Sequence, residues 1–170
     1  LTYIGGVEPF VLIAVPLFIV GGELISRGGV GRRIVDFAHT LFGFLPGGLG
    51  HANTVASLIF AGMSGAAVAD AAGLGQVELK AMRDEGYDDD FSVAITAASS
   101  TIGPIFPPSI PMVIFGLVAE VSVGRLFLGG VAPGLVMTVA LMIMVAIYAR
   151  RKNYPRTPFP GFRGIVNGLS

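Results

Sequence analysis

An all-α membrane protein is the fold class this sequence predicts: polytopic helices, with a re-entrant hairpin and one transmembrane helix broken in its middle. Three observations carry that reading. Hydrophobic residues make up 53 % of the chain and charged residues 13 %, and the mean hydropathy is +0.77. A soluble domain, with about a quarter of its residues charged, covers its surface with polar groups that this chain lacks. The charges are also clustered, so that residues 91–119 and 126–149, windows of 29 and 24 residues, contain none. A helix crosses the hydrocarbon core of a bilayer with about 20 apolar residues. Finally, Gly, Pro and Ser interrupt the apolar sequence at two places, residues 62–70 and 99–108.

Composition excludes several functions. Eleven basic residues balance eleven acidic ones, which gives no electrostatic case for a nucleic-acid partner. There is no cysteine, hence no thiol nucleophile, disulfide or zinc–thiolate site. Two histidines, His39 and His51, are too few for a histidine-rich metal centre. Leu1-Thr2-Tyr3 has neither methionine nor a basic flank and does not read as a signal peptide. Residues 1–170 are expected to be a single membrane-domain fragment that begins inside a longer protein.

The elements follow in order. Residues 1–27 predict a transmembrane helix, apolar from Phe10 to Ile25 and kinked at Pro16, which lacks an N–H. Glu23, near its end, is expected at the interface. Over residues 30–45, Arg32, Arg33, Asp36 and His39 alternate with Ile34, Val35, Phe37, Ala38, Leu41 and Phe42. That spacing predicts an amphipathic helix in the membrane interface, the alternative being a connector facing water. The breaker-rich run 45–50 is a turn.

Residues 51–80 predict the hairpin. As helices, 51–65 and 70–80 would be about 22 and 16 Å long at 1.5 Å per residue, each short of a core about 30 Å thick. Each arm reaches the midplane and returns, with the tip at residues 64–69. Such backbone is tolerated at membrane depth only where protein or a watery cavity surrounds it. A single crossing over 51–71 followed by a loop is the alternative. Residues 88–120 predict the broken transmembrane helix, because Pro104, Pro107, Pro108 and Pro111 cannot all sit in one helix. Residues 125–150 predict an unbroken transmembrane helix and 153–170 an irregular tail.

Basic residues near helix ends mark the cytoplasmic side. Arg150, Arg151, Lys152, Arg156 and Arg163 place the end of the last crossing inside, and Arg125 alone marks its start outside. The broken helix then begins inside, after Lys80 and Arg83, and the first helix ends inside, at Arg27, Arg32 and Arg33. These assignments agree only if residues 51–78 enter and leave on one side, which favours the hairpin.

Both interruptions are expected at mid-membrane depth, where transporters build sites from freed carbonyls and half-helix termini. In a helix, Pro104, Pro107 and Pro108 would free the carbonyls of Ser100, Gly103 and Pro104. These lie beside the hydroxyls of Ser99, Ser100 and Thr101. The cluster is uncharged and oxygen-rich, as a sodium ion requires. The plainer alternative is a proline kink whose hydroxyls bond back to the helix. Asp70 is the only acid between Asp36 and Glu78. It is expected to be the N-cap of the returning arm, with cation binding as a second role for an ionisable group at this depth. His51 is expected to cap the start of the hairpin, and Asn53 and Ser57 to hydrogen-bond between helices.

Two rivals remain. Gly62-Met63-Ser64-Gly65 looks like the Gly-x-Ser-Gly of rhomboid intramembrane proteases, but no histidine follows Ser64. His51 precedes it by about 20 Å of helix, far beyond a general base's reach of about 3 Å. A channel-forming or purely structural membrane module is the other rival. Without a histidine in reach of Ser64 an enzyme is not expected, and no cofactor is expected.

Longer motifs narrow the choice. Residues 44–49 (Phe-Leu-Pro-Gly-Gly-Leu), 59–65 (Ile-Phe-Ala-Gly-Met-Ser-Gly), 67–75 (Ala-Val-Ala-Asp-Ala-Ala-Gly-Leu-Gly), 96–111 and 130–135 resemble the large permease subunit of TRAP transporters. The resemblance runs from about Val11 to Pro155. It implies a sodium-driven secondary transporter in the bacterial cytoplasmic (inner) membrane, importing organic acids such as C4-dicarboxylates or sialic acid. The partners implied are a small membrane subunit of the same transporter and an extracytoplasmic substrate-binding protein. The implied fold is an elevator of two inverted repeats, each with a hairpin and a broken helix, of which this chain matches the first. Carried onto this sequence, the sodium site comprises Ser64, Gly65, Ser99, Ser100, Gly103, Pro104 and Pro108. The substrate is expected next to it, at Ala66, Asp70 and Thr101. Another secondary carboxylate or ion transporter of the same broken-helix architecture is the alternative. Such subunits are more than twice as long, so the second repeat and its share of the site are expected elsewhere.

Overall fold

The computed structural model describes residues 13, 15–17, 19–22, 24, 28–152 and 154. Among them all regular structure is helical. The described positions between 13 and 24 are helical; the rest of the first predicted crossing, with Glu23 and Arg27, and nearly all of the tail, with Arg156 and Arg163, lie outside the described residues.

Helix α1, Val30–Phe42, starts after Gly29, which takes a left-handed φ of 74°. Its apolar stripe does not face outward. Ile34, Val35 and Ala38 are buried, packed with Ala52, Ala56, Phe60 and Leu74. The amphipathic pattern over 30–45 is therefore satisfied by protein, with Arg32, Arg33 and Asp36 on the exposed side.

Helix α2, Gly48–Ser64, is capped at its start by Gly47. His51 thus sits inside the helix rather than at its cap, because Gly47 already turns the chain. At 17 residues α2 is about 26 Å long. It ends where Gly65 adopts a φ of 62° and donates its N–H to Ala61 O at 3.0 Å. Ala66 is extended, and the chain re-enters a helix at once: α3, Ala67–Ala69, a π-helical turn, Asp70–Leu74, and α4, Gly75–Asp84. The predicted six-residue tip is a two-residue turn. Asp70 is therefore not an N-cap; that position belongs to Ala66, and Asp70 opens the π-helical turn.

Helix α5, Asp89–Ser100, begins with Asp89 and Asp90 in its first turn, where carboxylates suit the positive end of the helix dipole. Residues 101–109 are irregular. Helix α6, Ile110–Val118, is capped by Ser109, whose Oγ accepts from Met112 N at 3.3 Å. Helix α7, Val123–Lys152, is the one helix among the described residues long and apolar enough to cross a membrane. One side of it is exposed and apolar, with Leu128, Val136, Val139, Ile143 and Ile147.

The end of α7 is fastened to the α4–α5 turn. Tyr87 stacks on Tyr154 at a centroid distance of 4.5 Å, and Phe91 on Tyr148 at 5.0 Å. Asp88 accepts from Tyr154 Oη at 2.8 Å and pairs with Lys152 Nζ at 3.0 Å.

Candidate functional site where the two chain interruptions meet

The two helix breaks touch. Ile110 N donates to Gly65 O at 3.2 Å, tying the start of α6 to the hairpin turn. A Cβ on Gly65 would lie 2.8 Å from Pro108 O. With its left-handed φ and this close approach, position 65 admits only glycine without strain. A Cβ on Gly103 would sit 3.2 Å from Ala66 C and 3.3 Å from Ala67 N, so the 101–109 segment lies directly on the turn. On its other side, Ile105 and Phe106 pack against Gly130 and Gly134 of α7.

The carbonyl pattern differs from the expected one. Ser100 O is not freed by Pro104 but accepts from Gly103 N at 3.2 Å, and Ser99 O accepts from Ile102 N at 3.0 Å. Pro104 O accepts from the Ser109 hydroxyl. The chain leaves the helix at Ser100 in tight turns, so nearer donors take these carbonyls. Gly103 O and Pro108 O have no donor among the described residues. Neither has the buried Ser64 Oγ.

The hydroxyls are bonded back to the helix, as the plainer reading of the proline kink held. Ser100 Oγ donates to Thr96 O at 2.8 Å and Thr101 Oγ1 to Ala98 O at 2.6 Å. Ser99 points away from the break. Its Oγ donates to Asn53 Oδ1 at 2.8 Å and accepts from Ser57 Oγ at 3.0 Å, while Asn53 Nδ2 donates to Thr96 Oγ1 at 2.7 Å. The expected interhelical role of Asn53 and Ser57 is thus met, with partners on α5.

Asp70 is buried at 1 % exposure. Ser57 and Ser100 lie beside its carboxyl without a well-directed hydrogen bond to it. Of the expected site residues, Ser64, Gly65, Ala66, Gly103, Pro104 and Pro108 gather at the meeting of the two breaks. Ser99 supports it from behind, and Thr101 is exposed. Thr96 and Ser109 were not anticipated. Their signals were present: Thr96 stands three and four residues before Ser99 and Ser100 on one helix face, and Ser109 precedes an apolar run as an N-cap does. His51 lies 13 residues before Ser64 in the same continuous helix, a separation that does not build a serine–histidine pair.

A family model described as "Tripartite ATP-independent periplasmic transporter, DctM component" matches residues 1–164. The sialic acid TRAP transporter permease protein SiaT of Haemophilus influenzae is 54 % identical over 151 residues, covering 89 % of this chain and 24 % of that protein. The sialic acid TRAP transporter large permease protein SiaM of Vibrio cholerae is 50 % identical over 155 residues, 91 % of this chain and 36 % of that one. The C4-dicarboxylate TRAP transporter large permease protein DctM of Vibrio cholerae is 40 % identical over 154 residues, 91 % and 34 % respectively. The chain thus spans about a quarter to a third of the length of these curated relatives.

Proposed function

Given that this chain belongs to the DctM family of tripartite ATP-independent periplasmic transporter components, we propose that it supplies the first half of the transport path of a sodium-driven organic-acid importer. The single observation that carries the proposal is the contact between the two breaks, with Ile110 N bonded to Gly65 O at 3.2 Å. The contact brings two non-helical segments with free carbonyls to one place, which supports a shared site there.

On this reading residues 51–80 are a re-entrant hairpin and 88–120 a broken crossing in the bacterial inner membrane. Residues 1–27 and 125–150 are crossings, 30–45 lies at the cytoplasmic interface, and 153–170 is a cytoplasmic tail. The sodium ion is held by oxygens of Ser64, Gly65, Ser100, Gly103, Pro104 and Pro108, with Ser99 supporting them from behind through its bonds to α2. The unpaired Ser64 hydroxyl and the free Gly103 and Pro108 carbonyls suit a small hard cation, which takes oxygen ligands. Hydroxyls that donate to carbonyls still have lone pairs for it. The substrate anion lies alongside, at Ala66, Asp70 and Thr101. A small membrane subunit and an extracytoplasmic binding protein complete the transporter. Relatives named for sialic acid, 2,3-diketo-L-gulonate, C4-dicarboxylates and isethionate support an organic acid as the substrate class. The two sialic acid relatives at 50 % and 54 % identity make sialic acid the first compound to assay, with C4-dicarboxylates second.

The test is uptake by the full-length large subunit, reconstituted with its small subunit and binding protein. Labelled acid should accumulate with an inward sodium gradient and not with an equal potassium gradient. Accumulation that ignores sodium would remove the cation site from the proposal.

A further inference from the structure

Four buried polar side chains join α2 to α5: Asn53 and Ser57 on one helix, Thr96 and Ser99 on the other. Each pair is three or four residues apart, so each presents one face. All four are at most 4 % exposed. Packing alone does not call for them, because Ala52 and Ala56 on the same helix are buried without any polar group. An amide that donates at one end and accepts at the other is satisfied in one register only. Asn53 uses both ends: Nδ2 to Thr96 Oγ1 at 2.7 Å, and Oδ1 from Ser99 Oγ at 2.8 Å.

Asn53 cannot be a ligand at the break. It stands 11 residues before Ser64 in one helix, about 17 Å along the axis. Ser99, however, is the penultimate residue of α5, where the main chain leaves the helix. Its carbonyl holds Ile102 N, the next carbonyl holds Gly103 N, and Gly103 rests on Ala66 and Ala67. A contiguous path of hydrogen bonds and one packing contact therefore runs from Asn53 through Ser99 to the turn at residues 65–66.

We infer that Asn53 is a positioning residue for the cation site, acting through Ser99 to fix where α5 ends against the hairpin. This rests on the sodium reading above. It makes a specific demand on kinetics: disturbing Asn53 changes sodium affinity far more than the maximal rate, because the oxygens remain present but are no longer held at ligand spacing.

The experiment is sodium activation of uptake in the full-length reconstituted transporter. Asn53→Ala is expected to raise the half-saturating sodium concentration about tenfold, equivalent to about 1.4 kcal/mol, with the rate at saturating sodium within about twofold of wild type. Combined with Ser99→Ala, the double variant should be no worse than the more damaged single variant, since both act through one bond. Thr96→Ser should keep wild-type activation, and Thr96→Val should raise half-saturation about threefold or more. The Thr96 pair decides the matter if Asn53→Ala is not recovered as assembled protein. A half-saturation unchanged in Asn53→Ala, effects that multiply in the double variant, or Thr96→Val behaving as Thr96→Ser would each overturn the inference while leaving the sodium reading intact. Wild-type uptake without sodium activation would overturn both, and is read out separately in the same assay.

Discussion

A methyl group at position 65 has no place to go: the carbonyl oxygen of Pro108 lies 2.8 Å from where it would sit, and the backbone there has a φ of 62°. A left-handed conformation costs a non-glycine residue about 1–2 kcal/mol, before the clash is counted. Gly65→Ala is expected to lower the thermal midpoint of the full-length protein in detergent and to abolish uptake. Retained uptake would show that the turn tolerates rearrangement. Ser99→Ala combined with Ser100→Ala should weaken the sodium dependence of uptake without preventing membrane insertion. Both hydroxyls bond within α5 or to α2, so their loss disturbs the site geometry more than the fold. Unchanged sodium activation in that double variant would count against these residues.

The elements are held by their ends. Ser109 caps α6 through Met112 N and also donates to Pro104 O, so one side chain closes the irregular segment and starts the next helix. Ser109→Ala should cost about 0.5–2 kcal/mol, as other lost N-caps do, measured by chemical unfolding of the purified transporter. The α4–α5 turn is held to α7 by Asp88, Lys152 and Tyr154. Asp88→Asn is expected to lower the thermal midpoint of the purified transporter slightly, because it removes the charge that pairs with Lys152; an unchanged midpoint would show that this fastening adds nothing.

For the whole molecule, residues 28–152 form a layered set of helices in which α2 touches α1, α5 and α7. Residues 48–84, the irregular segment 101–109 and the long helix α7 are thus one packed unit. The chain as a whole spans a quarter to a third of the relatives' length, and the proposed path needs the remainder. The 170-residue chain alone, reconstituted in vesicles, is expected to show no sodium-coupled uptake of organic acid. Uptake by it would mean that these residues make a complete path without the remainder.

Local chemistry made much of this legible. Gly65, Gly29 and Gly47 end or start helices because only glycine takes their φ cheaply. Pro104 cannot donate to the last carbonyl of α5 and Pro107 and Pro108 keep the following residues from resuming the helix, and 24 uncharged residues foretold α7. Some local choices were hidden, because competing signals were equal in strength. Asp70 and His51 are good cap residues by type, yet Ala66 and Gly47 hold those positions. The apolar stripe of α1 reads the same whether lipid or protein covers it, and only α2 lying against it decides the matter. The sequence by itself determined where the chain must stop being helical, because backbone donors and left-handed turns are properties of single residues. Only the tertiary structure decided that the breaks meet, which carbonyls stay free there, and that Asn53 reaches Ser99, because those depend on distances between helices that no local pattern encodes.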